Sequence, residues 1–367
     1  MSSFTSQDYV YMSSALRLAE RGQYTAHPNP MVGCVLVKDD EIVGEGWHEK
    51  TGSAHAEVNA LQRAGEKARG STAYVTLEPC SHHGKTPPCC EALITAGVSK
   101  VIASIYDPFQ SSAGDGLKCL VEAGIEVQYG LMKSAAEELN RGFLMRVGRQ
   151  RPFVQLKLAT SIDGAISMAS GESQWITSSA ARADVQRLRA RSGAIMTGIG
   201  TVLADDPSLT VRAANFETCG TQPIRVVLDS YLRTPASAAM LGLEGVTLLC
   251  CTDNRNSKSL LSSNVEVASF SSFNGRVDVN EVLMELAVRG INNVLVEAGL
   301  SLSGHLLERN LVDELVIYQA PHIMGSETMK LVSTPSWTKL ADRKDLMITD
   351  TRRFGPDTRI TATLKLG

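Results

Sequence analysis

Several features are missing from this 367-residue sequence, and each absence excludes a class of protein. No apolar run is long enough to cross a bilayer, so we expect no membrane partner. The first residues carry no basic segment followed by an apolar one, which argues against a secretory signal peptide. The net charge is only −3, so we expect no nucleic-acid partner either. Without an export signal, the eight cysteines predict a reduced, cytoplasmic protein rather than a disulfide framework.

What the chain does have is a globular composition, with 43% hydrophobic and 20% charged residues. A chain of this length usually forms two domains. In the first half, short apolar strands alternate with helical segments, which predicts an αβα sandwich. A charged break at 149–152 ends this pattern, and a second α/β unit follows that closes with an antiparallel hairpin. We therefore predict domains at residues 1–148 and 149–367.

Residues able to bind a metal concentrate between positions 55 and 89. His55 opens a predicted helix, Cys80 follows a predicted strand, and Cys89 falls in the first turn of another helix. One imidazole and two thiolates supply three zinc ligands and leave the fourth tetrahedral position open for water, as in catalytic sites. The pattern resembles that of the zinc deaminases, which hydrolyse an exocyclic amine from a nucleobase-like ring.

Glu57, two positions after His55, is the predicted catalytic residue of this site. Its carboxylate would take a proton from the activated water and deliver it to the ring nitrogen and the leaving amine. The alternative is a structural zinc site with a fourth protein ligand, for which His82, His83 and Cys90 are candidates. A structural site gains nothing from Glu57, so the catalytic interpretation is favoured.

The second half is less explicit when it is taken alone. It lacks a G-x-G-x-x-G motif after a strand, so a Rossmann domain is not supported. A predicted strand at 294–298 runs into a glycine turn and a helix start, which suits a phosphate, although an ordinary strand–turn–helix joint explains it equally well. Arginines near Ser173 and Trp175 could clamp a sugar phosphate or form a solvated helix face. They are Arg182, Arg187, Arg189, Arg191 and Arg212.

Several longer motifs point to one family. Segment 78–89, EPCSHHGKTPPC, places eight residues between its cysteines, where two are usual in deaminases, and it resembles the bifunctional riboflavin-biosynthesis deaminase/reductases. Segment 29–35, NPMVGCV, is similar to the same family. So are KLATSIDG at 157–164, GESQWIT at 171–177, TVLADDPSLTVR at 201–212 and EAG at 297–299.

The resemblance implies a fold, two reactions and two cofactors. The fold is a cytidine-deaminase-like αβα sandwich followed by a dihydrofolate-reductase-like α/β domain. The first domain would use Zn²⁺ to deaminate 2,5-diamino-6-ribosylamino-4(3H)-pyrimidinone 5′-phosphate. The second would use NADPH to reduce the ribosyl group of 5-amino-6-(5-phosphoribosylamino)uracil to ribityl. A homo-oligomer, dimer or tetramer, is expected.

The resemblance also implies residue roles. The metal ligands would be His55, Cys80 and Cys89, with Asn29 lining the base pocket. Residues implied to contact NADPH are Ala159, Trp175, Thr201, Asp205, Ser230, Gly299, Leu300, Ser301, Leu302, Ser303, Gly304 and His305. Residues implied to hold the ribose-phosphate substrate are Ser173, Arg189, Leu209, Arg212 and Glu297. Lys157 and Asp163 are candidates for the proton donor of the reductase step.

Two other functions are compatible with parts of the sequence. One is a zinc deaminase for nucleosides or tRNA whose second half only binds or dimerises. The acidic charge balance and the long loop between the cysteines argue against tRNA. The other is a zinc-stabilised assembly protein, against which Glu57 beside an open metal position argues.

Overall fold

The computed structural model describes residues 4–81, 87–109, 113–212, 216, 218, 220–253, 263–335 and 338–364. Contacts between Cα atoms divide the chain into two compact units, Met1–Gln150 and Arg151–Gly367. The predictions that concern His82, His83 and Lys85 lie outside the described residues. Among the helices that are described, none combines the length and the apolar character needed to span a bilayer.

The first unit contains a five-stranded mixed sheet and several short helices. Its strands are β1 Gly33–Lys38, β2 Glu41–Trp47, β3 Thr72–Val75, β4 Lys100–Ala103 and β5 Glu126–Tyr129. Its helices are α1 Ser6–Glu20, α2 Ala56–Ala64, α3 Cys89–Thr95, α4 Asp115–Glu122, α5 Lys133–Leu139 and α6 Arg141–Arg149, with a 3-10 turn at Gly65–Ala68. The strand order is β2-β1-β3-β4-β5, antiparallel at β2-β1-β3 and parallel from β3 to β5.

Two glycines allow helices to lie directly on opposite faces of this sheet. A Cβ at Gly33 would sit 2.0 Å from the carbonyl oxygen of Ala15 in α1, and one at Gly46 would sit 2.2 Å from that of Ala56 in α2. Gly46 pairs with Cys34, the residue after Gly33, and successive residues of a strand face opposite sides. Helices α1 and α2 therefore cover opposite faces, and the predicted αβα sandwich is confirmed.

The second unit contains thirteen described strands, nine in one large sheet and four in two small antiparallel pairs. Its strands are β6 Phe153–Ser161, β7 Ala165–Ser167, β8 Ala194–Gly198, β9 Ile224–Leu228, β10 Thr247–Cys251, β11 Val265–Ser269, β12 Ser272–Phe273, β13 Arg276–Val277, β14 Asn293–Glu297, β15 Glu314–Ala320, β16 Met329–Lys330, β17 Leu346–Phe354 and β18 Asp357–Leu364. Its helices are α7 Ser179–Ala190, α8 Ile199–Asp205, α9 Val279–Val288 and α10 Leu300–Glu308, with 3-10 turns at Ala239–Gly242 and Leu340–Asp342. The two small pairs are β12–β13 and β7–β16.

The order of the large sheet is β11-β10-β9-β8-β14-β6-β15-β18-β17. Its strands run parallel from β11 to β15, and the closing β17–β18 hairpin is antiparallel, as the sequence predicts. Central strands such as β8 and β14 are buried and apolar through their middle residues because both of their faces are covered. Parallel strands end at one edge of the sheet, which is where ligands bind in open α/β folds.

Candidate active sites

The three predicted metal ligands meet at one point of the first unit. The ligand atoms of His55, Cys80 and Cys89 all lie within 4.8 Å of one another. His55 is the N-cap residue of α2, and Cys89 is the first residue of α3. Two helix starts and the segment after β3 therefore converge on the same small volume.

The spacing of the ligand atoms fits zinc. The Nδ1 atom of His55 lies 3.3 Å from Sγ of Cys89 and 3.6 Å from Sγ of Cys80. Tetrahedral zinc with ordinary Zn–N and Zn–S bond lengths places such atoms about 3.5 Å apart. Within the described part of the chain, the cluster contains only these three metal-binding side chains. Cys90, a candidate fourth ligand, instead packs in the hydrophobic core of the unit.

The polar surroundings of Cys80 favour its thiolate. The backbone N–H of Cys89 donates a hydrogen bond to Sγ of Cys80 over 3.3 Å. A hydrogen bond from the Cys89 thiol, assisted by the His55 ring, lowers the pKa of Cys80 to about 4. A thiolate is the form of cysteine that binds a metal. The site therefore supplies an anionic ligand before any metal enters.

Glu57 lies beside the three ligands and is only 3% exposed. Burial raises the pKa of Glu57 to about 7, although the nearby His55 favours the charged form. A carboxyl group with a pKa near the working pH can both accept and release a proton. The geometry therefore gives Glu57 the properties that proton transfer requires.

The buried carboxylate of Glu78 anchors the loop that precedes α4. One oxygen accepts hydrogen bonds from the backbone N–H groups of Asp107 and Gly114 at 3.0 and 2.9 Å. The other accepts from those of Gly116 and Leu117 at 2.9 and 3.3 Å. Because Glu78 is two residues from Cys80, the same segment holds both this loop and a metal ligand.

Asn29 is held by a histidine that sequence reasoning missed. The Nδ2 atom of Asn29 lies 3.1 Å from Nε2 of His48, and Nδ1 of His48 lies 3.2 Å from the carbonyl oxygen of Ala54. His48 also contacts His55 edge-on, with 5.7 Å between the ring centroids. His48 follows a tryptophan at the end of β2 and belongs to none of the motifs considered, so only its burial in the fold identifies it.

The second unit contains a cavity of about 1020 Å³, which is large enough for a dinucleotide-sized ligand. It lies beside residues 157–159 of β6, where β8, β9 and β14 end and where α8 and α10 begin. Most of the predicted cofactor and substrate residues line it. They are Ala159, Ser173, Trp175, Arg189, Thr201, Asp205, Leu209, Arg212, Ser230, Glu297, Gly299, Leu300, Ser301, Leu302 and His305.

The start of α10 forms part of this wall. Gly299 is its N-cap residue and has no side-chain cap, and its backbone N–H donates to Oγ1 of Thr201 over 3.3 Å. The first N–H groups of a helix have no partners within the helix and attract anions. The wall therefore fits the pyrophosphate of a dinucleotide.

Ser303 and Gly304 are not among the residues that line the cavity, and their contact with NADPH stays a prediction. Ser303 is fully buried, and its hydroxyl donates to the carbonyl oxygen of Ala298 over 3.3 Å. A Cβ at Gly304 would lie 1.7 Å from the carbonyl oxygen of Ser333, so this side of α10 packs against backbone. Of the turn, residues 299–302 and His305 line the cavity.

Arg189 and Glu297 are partners of each other. Nε of Arg189 lies 2.5 Å and Nη2 lies 3.0 Å from the two carboxylate oxygens, and Nη1 donates to the carbonyl oxygen of Thr210 over 3.0 Å. Burial alone would raise the pKa of Glu297, but the paired Arg189 outweighs it and the pKa lies below its ordinary value. Arg189 is thus committed to orienting Glu297 rather than being free to clamp a phosphate.

The two candidate proton donors differ sharply in position. Lys157 lines the cavity, and burial lowers its pKa below the ordinary value although Glu297 opposes the shift. Asp163 is exposed and lies outside the cavity lining. Its carboxylate accepts hydrogen bonds from the hydroxyl of Ser161 and from the N–H of Gly325, at 2.5 and 2.9 Å. Asp163 therefore stabilises a turn.

Only some of the five arginines singled out in the sequence lie at the cavity. Arg182, Arg189 and Arg212 line the cavity. Arg187 does not, because its guanidinium pairs with Asp184 over 2.5 Å. Arg191 is also absent from the lining.

Comparison with known proteins matches each of the two units to a protein family. Residues 5–105 match the profile of the cytidine and deoxycytidylate deaminase zinc-binding region, and residues 152–360 match that of the RibD C-terminal domain. The riboflavin biosynthesis protein RibD of Escherichia coli strain K12 is 50% identical, over 96% of this chain and 98% of its own length. The RibD protein of Haemophilus influenzae is 48% identical over the whole of both chains.

This chain belongs to the RibD family. The solved structure of Acinetobacter baumannii RibD, form 1, superposes with a TM-score of 0.91, at 42% identity over 98% of this chain and 99% of that one. A Thermotoga maritima protein described as a diaminohydroxyphosphoribosylaminopyrimidine deaminase/5-amino-6-(5-phosphoribosylamino)uracil reductase superposes with a TM-score of 0.87, at 30% identity over 98% and 99% of the two chains.

Membership of the RibD family confirms the main predictions. The chain is a bifunctional enzyme with a zinc-dependent deaminase domain followed by a reductase domain, and it acts on small molecules. The two cofactors predicted from the sequence, Zn²⁺ and NADPH, belong to these two domains. The predicted fold class is confirmed as well.

Proposed function

We propose that residues 1–148 deaminate 2,5-diamino-6-ribosylamino-4(3H)-pyrimidinone 5′-phosphate and that residues 149–367 reduce the ribosyl group of the product. The observation that carries the proposal is the cluster of His55, Cys80 and Cys89 with the buried Glu57 beside it. The Thermotoga maritima relative, which is described by the same two activities, supports the choice of substrate.

In the deaminase step, His55, Cys80 and Cys89 would hold zinc, which when bound lowers the pKa of a coordinated water toward 7. Glu57 accepts a proton from the attacking water and passes it to the substrate. Its burial excludes bulk water, so the proton returns to the ring nitrogen and the departing amine rather than to solvent. Asn29, fixed by His48, orients the pyrimidine.

In the reductase step, NADPH supplies a hydride to C1′ of the sugar when it is bound. The bond from C1′ to the ring oxygen breaks, and that oxygen needs a proton to become a hydroxyl. Lys157 lies in the cavity with a lowered pKa, which makes it a better acid, and we assign this proton to it rather than to Asp163.

The remaining residues of the second unit bind and orient the ligands. Gly299–Leu302 and His305 would hold the cofactor together with Ala159, Trp175, Thr201, Asp205 and Ser230. Arg212 is exposed at the cavity and would bind the substrate phosphate beside Ser173 and Leu209. Glu297, oriented by Arg189, would accept hydrogen bonds from sugar hydroxyls.

One assay with two separate readouts tests the proposal. The zinc-loaded protein is given the diamino substrate, first alone and then with NADPH, and ammonia release and nicotinamide oxidation are followed separately. We expect ammonia in both cases, and NADPH oxidation only after ammonia has appeared. Release of ammonia from cytidine or from tRNA, but not from the diamino substrate, would favour the nucleoside or tRNA deaminase instead.

The cellular setting is proposed on the same basis. We propose a cytoplasmic homo-oligomer, dimer or tetramer, that does not bind nucleic acid. The strand β17 at the edge of the large sheet supports self-association, since Leu346, Met347 and Ile348 are 39%, 52% and 62% exposed. Light scattering on a sizing column measures the oligomeric state, and a monomer at micromolar concentration would reject this part.

A further inference from the structure

Two arginines of the reductase cavity have no role in the assignments above. Arg233 lies in the loop after β9, and Arg276 is the first residue of β13. Both line the cavity and both are exposed to it. Neither guanidinium forms a hydrogen bond or an ion pair with any residue that the structure describes, so within that part of the chain both are available to a ligand in the cavity.

The fold holds these two arginines beside Ser230. The backbone N–H of Val277, next to Arg276, donates to Oγ of Ser230 over 3.0 Å. The hydroxyl of Tyr231 donates to the carbonyl oxygen of Gly275, on the other side of Arg276, over 2.9 Å. The residues on both sides of Arg276 are thus hydrogen-bonded to Ser230 and Tyr231. Arg233 follows Tyr231 by two residues in the same loop.

The acidic groups of the cavity do not neutralise this cluster. The lining contains Asp205, Asp206 and Glu297, and Glu297 is paired with Arg189. Asp206 accepts a hydrogen bond from the backbone N–H of Ala239 over 2.8 Å, and Asp205 accepts one from the hydroxyl of Ser173 over 3.2 Å. The Arg233–Arg276–Ser230 cluster is therefore suited to an anion with several oxygen atoms.

We propose that Arg233 and Arg276, together with the hydroxyl of Ser230, bind the 2′-phosphate of NADPH and make the enzyme select NADPH over NADH. This inference rests on the proposed function, which assigns the cavity to the cofactor. Of the three anionic groups that the cavity would receive, the pyrophosphate has the start of α10, and the substrate phosphate has Arg212. The 2′-phosphate is the group left without a cationic partner. Arg182 also lines the cavity, but its guanidinium donates to the carbonyl oxygen of Thr177 and stacks on Trp175, whereas Arg233 and Arg276 have no such contacts within the described residues.

Binding experiments test the proposal without relying on turnover. Calorimetric titration of the zinc-loaded protein with NADP⁺, NAD⁺, 2′-AMP and 5′-AMP is compared for the unchanged protein and for Arg233→Ala, Arg276→Ala and the double variant. Each single variant should weaken NADP⁺ and 2′-AMP binding about tenfold or more, as expected for loss of a charge-assisted contact to phosphate. Binding of NAD⁺ and 5′-AMP should change less than threefold. Arg343→Ala, which removes an exposed arginine outside the cavity, is the matched control and should change neither.

Steady-state kinetics separates the two possible phosphate sources. The KM for NADPH should rise in the variants, while the KM for the pyrimidine substrate stays unchanged. A rise confined to the substrate KM would overturn the inference, because the arginines would then serve the substrate phosphate. Equal weakening of NADP⁺ and NAD⁺ would also overturn it. If the unchanged protein binds neither nucleotide, the proposed function itself fails, whereas intact NADP⁺ binding in the double variant rejects only the present inference.

Discussion

Replacing Glu57 by glutamine is the most direct perturbation of the deaminase site. The amide keeps the shape of the side chain but cannot accept a proton and pass it on. Glu57 is 3% exposed, so bulk water cannot substitute for it, and loss of a general acid–base of this kind costs about 10²- to 10⁴-fold in rate. That corresponds to about 3 to 5 kcal/mol on the activation barrier. We expect kcat for ammonia release from the diamino substrate to fall within this range or below detection.

The assay needs three accompanying measurements. Zinc content should stay at one ion per chain, because the ligands are His55, Cys80 and Cys89. NADPH oxidation with the deaminated intermediate should be unchanged, since the cavity lies in the other unit. Glu66→Gln, an exposed carboxylate just beyond α2, should leave ammonia release unchanged. Ammonia release by the Glu57 variant within tenfold of the unchanged enzyme, with zinc bound, would remove Glu57 from the mechanism.

Three further predictions concern the second unit. Arg212→Ala should raise the KM of the reductase for its pyrimidine substrate about tenfold, because a phosphate partner is lost, and an unchanged KM in a steady-state assay would reject the assignment. Asp313→Ala should lower the free energy of unfolding, measured with urea, by about 2 kcal/mol. The reason is that two guanidinium N–H groups of Arg151 and the N–H of Val154 lose their acceptor, which now lies 2.7 to 2.8 Å away. Asp345 pairs with Arg343 at the exposed surface, and an effect no larger than that of Asp345→Ala would contradict the prediction. The hydroxyl of Ser161 and nearby N–H groups lower the pKa of Asp163 to about 2, so its stabilising effect should be complete above the ordinary pKa and lost as the pH falls toward 2. Asp163→Asn should therefore lower the Tm at pH 7, with a difference that shrinks below pH 4, and a difference that grows with acid would refute it.

The metal site could be read from the sequence because each ligand lies at the start of a helix or just after a strand, within a short span. The reductase site could be read only in part. Helix α8 was not predicted: it contains Gly200 and β-branched residues and is too short to show an apolar period. The pairing of Arg189 with Glu297 joins residues far apart in the chain, and nothing in the sequence reports it.

The predicted turn Gly299–His305 contains both residues that line the cavity and residues that pack away from it. Helical spacing alone does not divide the turn, because Gly304 lies three residues after Ser301 and four after Leu300, which both line the cavity. The division comes from tertiary packing, because Gly304 lies against the backbone of Ser333, about thirty residues further along the chain. No periodic pattern in the sequence marks Arg233 or Arg276 as cavity residues, because one lies in a loop and the other in a two-residue strand.

Gly116 shows how a residue with no reactive group can constrain the metal centre. A methyl group there would lie 1.8 Å from the carbonyl oxygen of Pro79, the residue before Cys80. Even an alanine would therefore collide with the peptide next to a thiolate ligand, and the N–H of Gly116 already donates to Glu78 in the same segment over 2.9 Å. Evolutionary change at the start of α4 is therefore limited by what the zinc ligands tolerate, and screening substitutions at position 116 for zinc retention would locate that limit.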